Sequence, residues 1–219
     1  EIDERVTIDT FSEGGGDKLA ARTADGAFDE ESVIPGITGD RIRVLKRPDY
    51  KSVKLQLQNL YNEGKINTLA ICLLHSYVFP EYELKVAEIA RDIGFNVSTS
   101  HLLQPMIGMV NRTSSTVADA YLTPVINEYI QNFGHGFEGG LELFGNKLLF
   151  MQSNGGLCPW YKFTGLKAIL SGPAGGMVGF GQTCYDGKLS NKATIGFDAD
   201  GTSTNVSRFA GKLEHIYET

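Results

Sequence analysis

In the first half of the chain, stretches with apolar residues at helical spacing take turns with short stretches of strand length. They recur at helical spacing between residues 49 and 64 and between 81 and 93, and each stretch ends at a glycine. A continuous apolar run of strand length occupies residues 68–74, and residues 95–99 also predict a strand. A strand that is apolar throughout is typical of a parallel sheet covered on both faces. The order helix, strand, helix, strand therefore predicts an α/β layout with a parallel sheet.

The second half places helices and strands after a glycine-rich stretch at residues 134–147. The predicted elements are a helix over 114–133 bent at Pro124, a buried strand over 148–152, a helix beginning near Ser171, and strands over 194–198, 204–209 and 213–217. The break in composition marks the predicted domain boundary. We expect a peripheral arm over residues 1–36, an α/β part over 37–140 and a second part over 141–219.

The composition and charge of the chain argue against some classes of binding partner. A net charge of −6 without a cluster of Lys or Arg argues against nucleic acid or an anionic membrane as the main partner. No apolar run reaches the length of a membrane span, and the N-terminus lacks a secretory signal pattern. An odd count of three cysteines without metal-ligand spacing favours a reducing, cytoplasmic setting. Because the chain begins with Glu1 rather than Met, we expect an excerpt or a processed piece.

The segment from Ile195 to Ser207 is the most informative candidate site. It predicts a buried strand, a tight turn of small hydroxylated residues and a second strand. Asp198 closes the first strand and would face a divalent metal, and Gly201 would let the backbone come close to a nucleotide phosphate. The phosphate oxygens would be surrounded by Thr202, Ser203 and Thr204. The alternative is an ordinary hairpin, because Asp, Gly, Ser and Thr are common in turns.

A second candidate is the predicted helix start from Ser171 to Gly176. The amides at a helix N-terminus, backed by the macrodipole, favour an anion. The side-chain-free positions Gly172, Gly175 and Gly176 would permit its close approach. The alternative is a capped helix that packs tightly against a strand through its glycines.

Two further residues follow predicted strands. His75 lies just past the first apolar run, at the edge where open parallel sheets bind ligands. Asn154, in the sequence Ser-Asn-Gly-Gly after the strand over 148–152, could orient a ligand. For both residues the alternative is a structural role, as a hydrogen-bonded histidine and as part of a glycine turn.

Five dispersed segments occur in one order along the chain. They read Leu-Leu-His-Ser-Tyr at residues 73–77, Ala-Asp-Ala-Tyr-Leu-Thr-Pro at 118–124, Met-Gln-Ser-Asn-Gly-Gly-Leu at 151–157 and Leu-Ser-Gly-Pro-Ala-Gly-Gly at 170–176, followed by the hairpin at Asp198. This order resembles the hydantoinase A and 5-oxoprolinase family over essentially the whole chain. The resemblance implies an actin-like ATPase fold of two ribonuclease-H-like halves, with a mixed sheet and flanking helices. This chain would hold the later part of the first half and the start of the second.

The resemblance also implies a reaction. In the family, ATP phosphorylates the lactam oxygen of 5-oxoproline and water opens the ring to glutamate, a hydrolase reaction of glutathione metabolism. The implied ligands are ATP and Mg²⁺, with Asp198 on the metal or its waters. The implied partners are a small lactam substrate and the remaining segments of a longer enzyme, and a homo-oligomer is compatible with them. No catalytic base can be matched, which leaves His75 as the candidate catalytic residue.

Three positions depart from the family pattern. Asp200 replaces a glycine of the hairpin, Asn205 replaces its closing aspartate, and Tyr82 replaces a histidine found in many relatives. An additional carboxylate at Asp200 would repel a triphosphate. The family's N-terminal phosphate hairpin is also absent from this sequence. Three alternatives stay open: an enzyme fragment inactive alone, a non-catalytic interaction module derived from the family, and a subunit of a related hydantoinase or ketone carboxylase.

Overall fold

The computed structural model describes residues 1–9, 33–185, 192–199 and 201–212. The chain forms two compact units, Glu1–Tyr121 and Leu122–Thr219. No helix among the described residues is both long enough and apolar enough to cross a membrane. The domain bounds given above remain predictions.

The first unit contains a three-stranded antiparallel sheet. Its elements are β1 (Arg5–Ile8), β2 (Val33–Pro35), β3 (Arg41–Lys46), α1 (Tyr50–Asn62), β4 (Thr68–Ile71), α2 (Glu81–Ile93), β5 (Asn96–Thr99), α3 (Ser100–Leu103) and the first part of α4 (Met109–Gly134). β1 and β2 each pair antiparallel with β3. Alternation along β3 buries Ile42 and Val44 on one face. The core on that face also contains Val6, Ile34, Val78, Phe79 and Tyr82.

A parallel pair of strands forms the other part of the first unit. β4 and β5 pair in parallel as predicted, and α2 packs on both. Gly94 ends α2 with φ at 118°, a left-handed conformation in which a side chain is strained. β4 ends at Ile71, earlier than the predicted end of the apolar run, because Leu73 and Leu74 enter a turn whose carbonyls accept from Arg112. The core between these elements contains Val53, Ile71, Val86, Ala90 and Phe95.

The second unit is built on a separate apolar core. Its further elements are β6 (Leu149–Met151), β7 (Leu157–Pro159), α5 (Gly165–Ala168), α6 (Ser171–Thr183), β8 (Thr194–Ala199) and β9 (Thr204–Phe209). The core contains Ile130, Leu141, Cys158 and Phe163. The prediction of a buried strand over 148–152 is wrong in one respect. β6 pairs antiparallel with β7 in a two-stranded hairpin, and Leu149 is 44% exposed because that face lacks cover.

The hairpin of β8 and β9 forms with the predicted strands. The two strands pair antiparallel, with Asp198 opposite Asn205. One face carries Gly196 and packs on α6 through Phe180. The opposite face is exposed, with Ile195 at 71% and Phe197 at 68%, so the expectation of a buried first strand is wrong for this chain. The strand predicted over 213–217 lies outside the described residues.

Candidate functional site

The second turn of α6 lies between two strand ends. A Cβ atom placed on Gly176 would lie 3.6 Å from Asp198 Oδ2 at the end of β8. One placed on Gly175 would lie 3.7 Å from Met151 Cγ at the end of β6. The predicted helix start and the predicted acidic strand end therefore meet. We call the group formed by residues 171–176 and Asp198 the α6–β8 junction.

The start of α6 carries positive electrostatic potential towards this junction. Helix geometry leaves the first amides of α6 without intrahelical acceptors, and the macrodipole adds partial positive charge. A Cβ atom on Gly172 would meet no described atom within 4 Å, so the approach to these amides is open. The Asp198 carboxylate is half-buried beside Gly176, one turn further along the helix. An anion in front of Gly172 and a cation at Asp198 would both have complementary charge here.

The turn between β8 and β9 is exposed. Gly201, Thr202, Ser203 and Thr204 all lie at the surface, and a Cβ atom on Gly201 would meet no described atom within 4 Å. Asn205 Nδ2 donates to Ser203 Oγ at 3.3 Å, which ties the turn to the start of β9. Asp200 lies outside the described residues. The phosphate contacts assigned to residues 201–204 remain predictions.

A metal at this junction would rely on few protein ligands. Among the described residues, no group of three or more His, Cys, Asp and Glu side chains could hold a metal ion. Mg²⁺ commonly binds proteins through one or two carboxylates and completes its shell with waters and substrate phosphates. A single carboxylate at Asp198 beside an anion-attracting helix start fits that pattern. It does not fit a metal caged entirely by protein.

His75 belongs to the first unit and lies in the turn that follows β4. Its Nδ1 atom is buried without a hydrogen-bond partner among the described residues. Burial lowers the pKa of His75, and the positive charges of Arg5 and Arg112 lower it further. The ring is therefore neutral over a wider pH range than an exposed histidine. A neutral imidazole with an unsatisfied nitrogen can accept or donate a proton, so His75 stays a candidate catalytic residue.

A buried polar network next to His75 was not predicted from the sequence. Arg112 is fully buried in α4 and donates to the carbonyl oxygens of Leu73, Leu74 and Met106. Its Nε also donates to Ser100 Oγ at 3.0 Å. We call Arg112, Ser100, Glu83 and His101 the Arg112 network.

Glu83 is the acidic member of the Arg112 network and is fully buried in α2. It accepts from Ser100 Oγ at 2.9 Å, from the Leu73 amide at 3.0 Å, and from the His101 amide and ring. Burial alone would raise the pKa of Glu83, but the hydrogen bonds from His101 and from the Leu73 amide help to hold it below its ordinary value. The network fixes the turn that carries His75, because Arg112 and Glu83 both bond to that turn.

One sequence signal points to this network. Glu83 precedes Val86 by three residues and Ala90 by seven, so it lies on the apolar face of α2. A carboxylate at a core-facing position needs hydrogen-bond partners when it is buried. The partners themselves come from α3 and α4, which the spacing within α2 does not predict.

Asn154 has the structural role that was left open for it. Its side-chain oxygen accepts from the Gly156 amide at 2.9 Å, which closes a local turn. Ser153, next to it, contacts Lys167 in α5 and Leu170 between α5 and α6. The sequence identified this segment but did not predict the contacts of Ser153.

Comparisons with known proteins match the chain to one protein family. The family model described as Hydantoinase/oxoprolinase N-terminal region matches residues 1–94, and the model described as Hydantoinase/oxoprolinase matches residues 112–219. The chain is 48% identical over its whole length to a 5-oxoprolinase of Saccharomyces cerevisiae, of which it covers 16%. It is 43% identical over its whole length to 5-oxoprolinase 1 of Arabidopsis thaliana, again covering 16%. The chain thus spans about a sixth of these relatives.

A solved structure shows the same fold. The crystal structure of the ATP-dependent caprolactamase from Pseudomonas jessenii superposes with a TM-score of 0.62 over 88% of this chain and 29% of that one, at 24% identity. This likeness confirms the predicted fold class, an α/β fragment of the actin-like ATPase type. At this identity it supports the fold and carries no statement about substrate.

Proposed function

The chain belongs to the hydantoinase/oxoprolinase family, and on this premise we propose that it is part of an ATP-dependent hydrolase that opens 5-oxoproline to glutamate. The observation that carries the proposal is the α6–β8 junction, where Gly176 lets the Asp198 carboxylate lie against α6, one turn after the helix start. The identity to two 5-oxoprolinases over the full length of this chain supports the choice of substrate. The remaining segments of a longer protein would complete the enzyme.

Each group at the junction has its own role in this proposal. The first amides of α6 bind phosphate oxygens, and the open position at Gly172 lets the phosphates come near. Asp198 holds Mg²⁺ or its waters, and Gly201 to Thr204 contact the phosphates from the hairpin turn. When bound, ATP and Mg²⁺ supply the phosphoryl group and the charge neutralisation that activate a stable lactam oxygen.

The first unit would contribute through the turn that carries His75. A neutral imidazole can take a proton from the attacking water, and the imidazolium so formed can pass that proton to the leaving nitrogen as the ring opens. The Arg112 network holds this turn in one conformation, which preserves the orientation of the ring. The setting we propose is the cytoplasm, where 5-oxoproline belongs to glutathione metabolism.

A chimeric enzyme tests the proposal. The matched 221-residue stretch of the Saccharomyces cerevisiae relative is replaced by this chain, and the release of glutamate and phosphate from 5-oxoproline and ATP is measured. We expect activity that requires both substrates and Mg²⁺. A chimera that folds but releases neither product contradicts the proposal.

Matched variants locate the activity in this chain. Asp198→Asn in the chimera removes the charge at the α6–β8 junction, whereas Glu142→Gln removes an exposed charge elsewhere in the same unit. Product release should fall with the first and persist with the second. Equal activity in both variants would assign the phosphate site to the host enzyme instead.

A non-catalytic module is the second candidate. The exposed apolar residues Ile195, Phe197 and Val206 share one face of the hairpin, as expected of a surface that binds protein. The chimera separates the two candidates. Activity supports the enzyme, and a folded chimera that does not bind Mg-ATP supports the module.

A further inference from the structure

α5 and α6 are separated by two residues although the local sequence favours one continuous helix. Lys167, Ala168, Ile169 and Leu170 include strong helix formers and contain no glycine or proline. Ile169 keeps helical dihedral angles of −51° and −48°. Leu170 departs from them, with angles of −113° and 23°. The cause of the interruption therefore lies outside residues 167–170.

Ser153 forms hydrogen bonds with carbonyl and amide groups that would be used within the helix if it were continuous. Its amide donates to Lys167 O at 2.7 Å, and its hydroxyl donates to Lys167 O at 2.8 Å and to Leu166 O at 3.3 Å. The Leu170 amide in turn donates to Ser153 Oγ at 3.0 Å. In an uninterrupted helix, Leu170 N–H would bond to Leu166 O and Ser171 N–H to Lys167 O.

Pro173 explains a different part of the interruption. It lacks an amide hydrogen and its ring crowds the carbonyl four residues earlier, at Ile169. It does not remove the two bonds that would join Leu170 and Ser171 to the preceding turn. Those two are the bonds that Ser153 replaces.

Ser153 is held in place by its own loop. The Gln152 amide donates to Gly156 O at 2.8 Å, and the Gly155 amide donates to Gln152 O at 2.9 Å. Gly155 has φ at 80°, which favours glycine. Together with the turn that Asn154 closes, these hydrogen bonds hold Ser153 in one position beside the end of α5 and the residues before α6.

We propose that Ser153 is a positioning residue that sets the start of α6 at Ser171, so that the Ser171 amide is available to a nucleotide phosphate rather than to the Lys167 carbonyl of the preceding turn. The inference rests on the proposed function, because it concerns the same α6–β8 junction. It also gives the Ser-Asn-Gly-Gly segment a role. In this proposal the segment positions the start of α6 through hydrogen bonds and does not contact the phosphate.

Amide hydrogen exchange on the full 219-residue chain tests the structural half without any ligand. In Ser153→Ala the carbonyl of Lys167 keeps the Ser153 amide but loses the hydroxyl donor, and the Leu170 amide loses its acceptor. We expect slower exchange at Ser171, as its amide gains the helical bond to Lys167 O, whereas the Leu170 amide replaces one hydrogen bond by another. Ser153→Thr keeps a hydroxyl and should exchange like the unaltered chain. Thr183→Ala, which removes a hydroxyl bonded to Gly179 O at the other end of α6, is the matched control.

Calorimetric titration of the chimera with Mg-ATP tests the functional half. We expect Ser153→Ala to weaken Mg-ATP binding about tenfold, because an anion at a helix start loses its donors. The KM for 5-oxoproline should stay within about twofold, and Ser153→Thr should restore nucleotide affinity. A general loss of folding would move both substrates together and would not be rescued. If Ser153→Ala does not fold, Ser153→Cys, with its weaker donor, should give an intermediate affinity.

The outcomes separate the inference from the proposed function. Unchanged exchange in Ser153→Ala overturns the inference, whatever the enzyme does. Slower exchange with unchanged Mg-ATP affinity overturns the positioning role and leaves the proposed function standing. An unaltered chimera that does not bind Mg-ATP overturns the proposed function and the positioning role with it, while the exchange data then describe a structural serine.

Discussion

In the first unit, the charged side chains of Arg112 and Glu83 are fully buried, and each is surrounded by hydrogen-bond partners from several elements. In the second unit, the carboxylate of Asp198 lies half-buried beside a glycine, with open space in front of the helix start. In the first unit, the buried charged groups find their hydrogen-bond partners within the protein. In the second unit, the open space and the carboxylate are available to a bound ligand.

The difference has an energetic meaning. A buried charge must be compensated inside the protein, because its hydration is lost on folding. A surface carboxylate keeps water and is available to exchange that water for a ligand. Substitutions in the Arg112 network should therefore change the free energy of unfolding, and substitutions at the α6–β8 junction should change binding.

The largest expected effect is on stability, at Arg112. Arg112→Met keeps much of the side-chain volume but removes a donor from the carbonyls of Leu73, Leu74 and Met106. It also removes the buried positive charge bridged by Ser100 to Glu83. We expect a loss of about 3–5 kcal/mol in the free energy of unfolding. Urea unfolding followed by far-UV circular dichroism measures it, and hydrogen exchange at β4 and β5 locates it.

An exposed arginine provides the control for this prediction. Arg91 on α2 lies at the surface and makes one long hydrogen bond, to Val97 O at 3.5 Å. Arg91→Met should change the free energy of unfolding by no more than about 0.5 kcal/mol. Similar values for the two variants would remove the distinction between a structural first unit and a ligand-facing second one.

The second effect is on the packing behind the α6–β8 junction. A Cβ atom on Gly196 would lie 1.9 Å from Phe180 Cδ2, so the ring would have to move in Gly196→Ala. Overpacking of this kind costs about 1–3 kcal/mol. Trp160, the chain's one tryptophan, lies in the second unit, so its fluorescence during urea unfolding follows the region concerned.

Gly201→Ala is the matched substitution on the same hairpin. No described atom would lie within 4 Å of the new Cβ atom. Unfolding should shift by a few tenths of a kcal/mol at most, within the range of surface substitutions. If Gly201→Ala destabilised the chain as much as Gly196→Ala, the turn would be packed, and its role as an open phosphate contact would be contradicted.

Local signals account for what could be predicted of the fold. Asp49 caps α1 by accepting from two amides, and Gly94 ends α2, so both helices lie close to their predicted bounds. Burial was harder to predict because it depends on what covers a strand. The apolar residues of β6 and β8 read as core positions, but each strand has one neighbour among the described residues.

In the candidate site, too, some contacts could be predicted from the sequence and others could not. Gly176 and Asp198 were predicted to meet because each belongs to a recognisable bend, and the bends converge. The hydrogen bond from Arg112 to Leu73 spans 39 residues, and that from Leu170 to Ser153 spans 17. Neither pair has a sequence pattern of its own, since serine and arginine are common at exposed positions. Only the folded arrangement identifies their roles.

The third effect concerns binding at the junction. Asp198→Asn in the chimera keeps the shape of the side chain and removes its charge, so Mg-ATP affinity should fall about tenfold or more. The melting temperature should stay unchanged, because no buried partner is left unpaired. Calorimetric titration with and without Mg²⁺ measures the effect. An equal loss of affinity without Mg²⁺ would mean that Asp198 does not act through the metal.

The smallest effect is a pH dependence of the first unit. Burial and the charges of Arg5 and Arg112 lower the pKa of His75 in the folded chain below its ordinary value of 6.5. The unfolded chain therefore binds the proton more tightly, and stability that is complete above pH 6.5 declines as the pH falls below it. Urea midpoints at intervals from about pH 8 to about pH 5 should show this decline, and His75→Gln should remove it. The lowered pKa of Glu83 acts in a separate window, below its ordinary value of 4.5. Midpoints extended to about pH 3 should therefore show that this step persists in His75→Gln. A decline between about pH 6.5 and 5 that survives His75→Gln would assign the proton to another group and would weaken the case for a neutral, reactive imidazole.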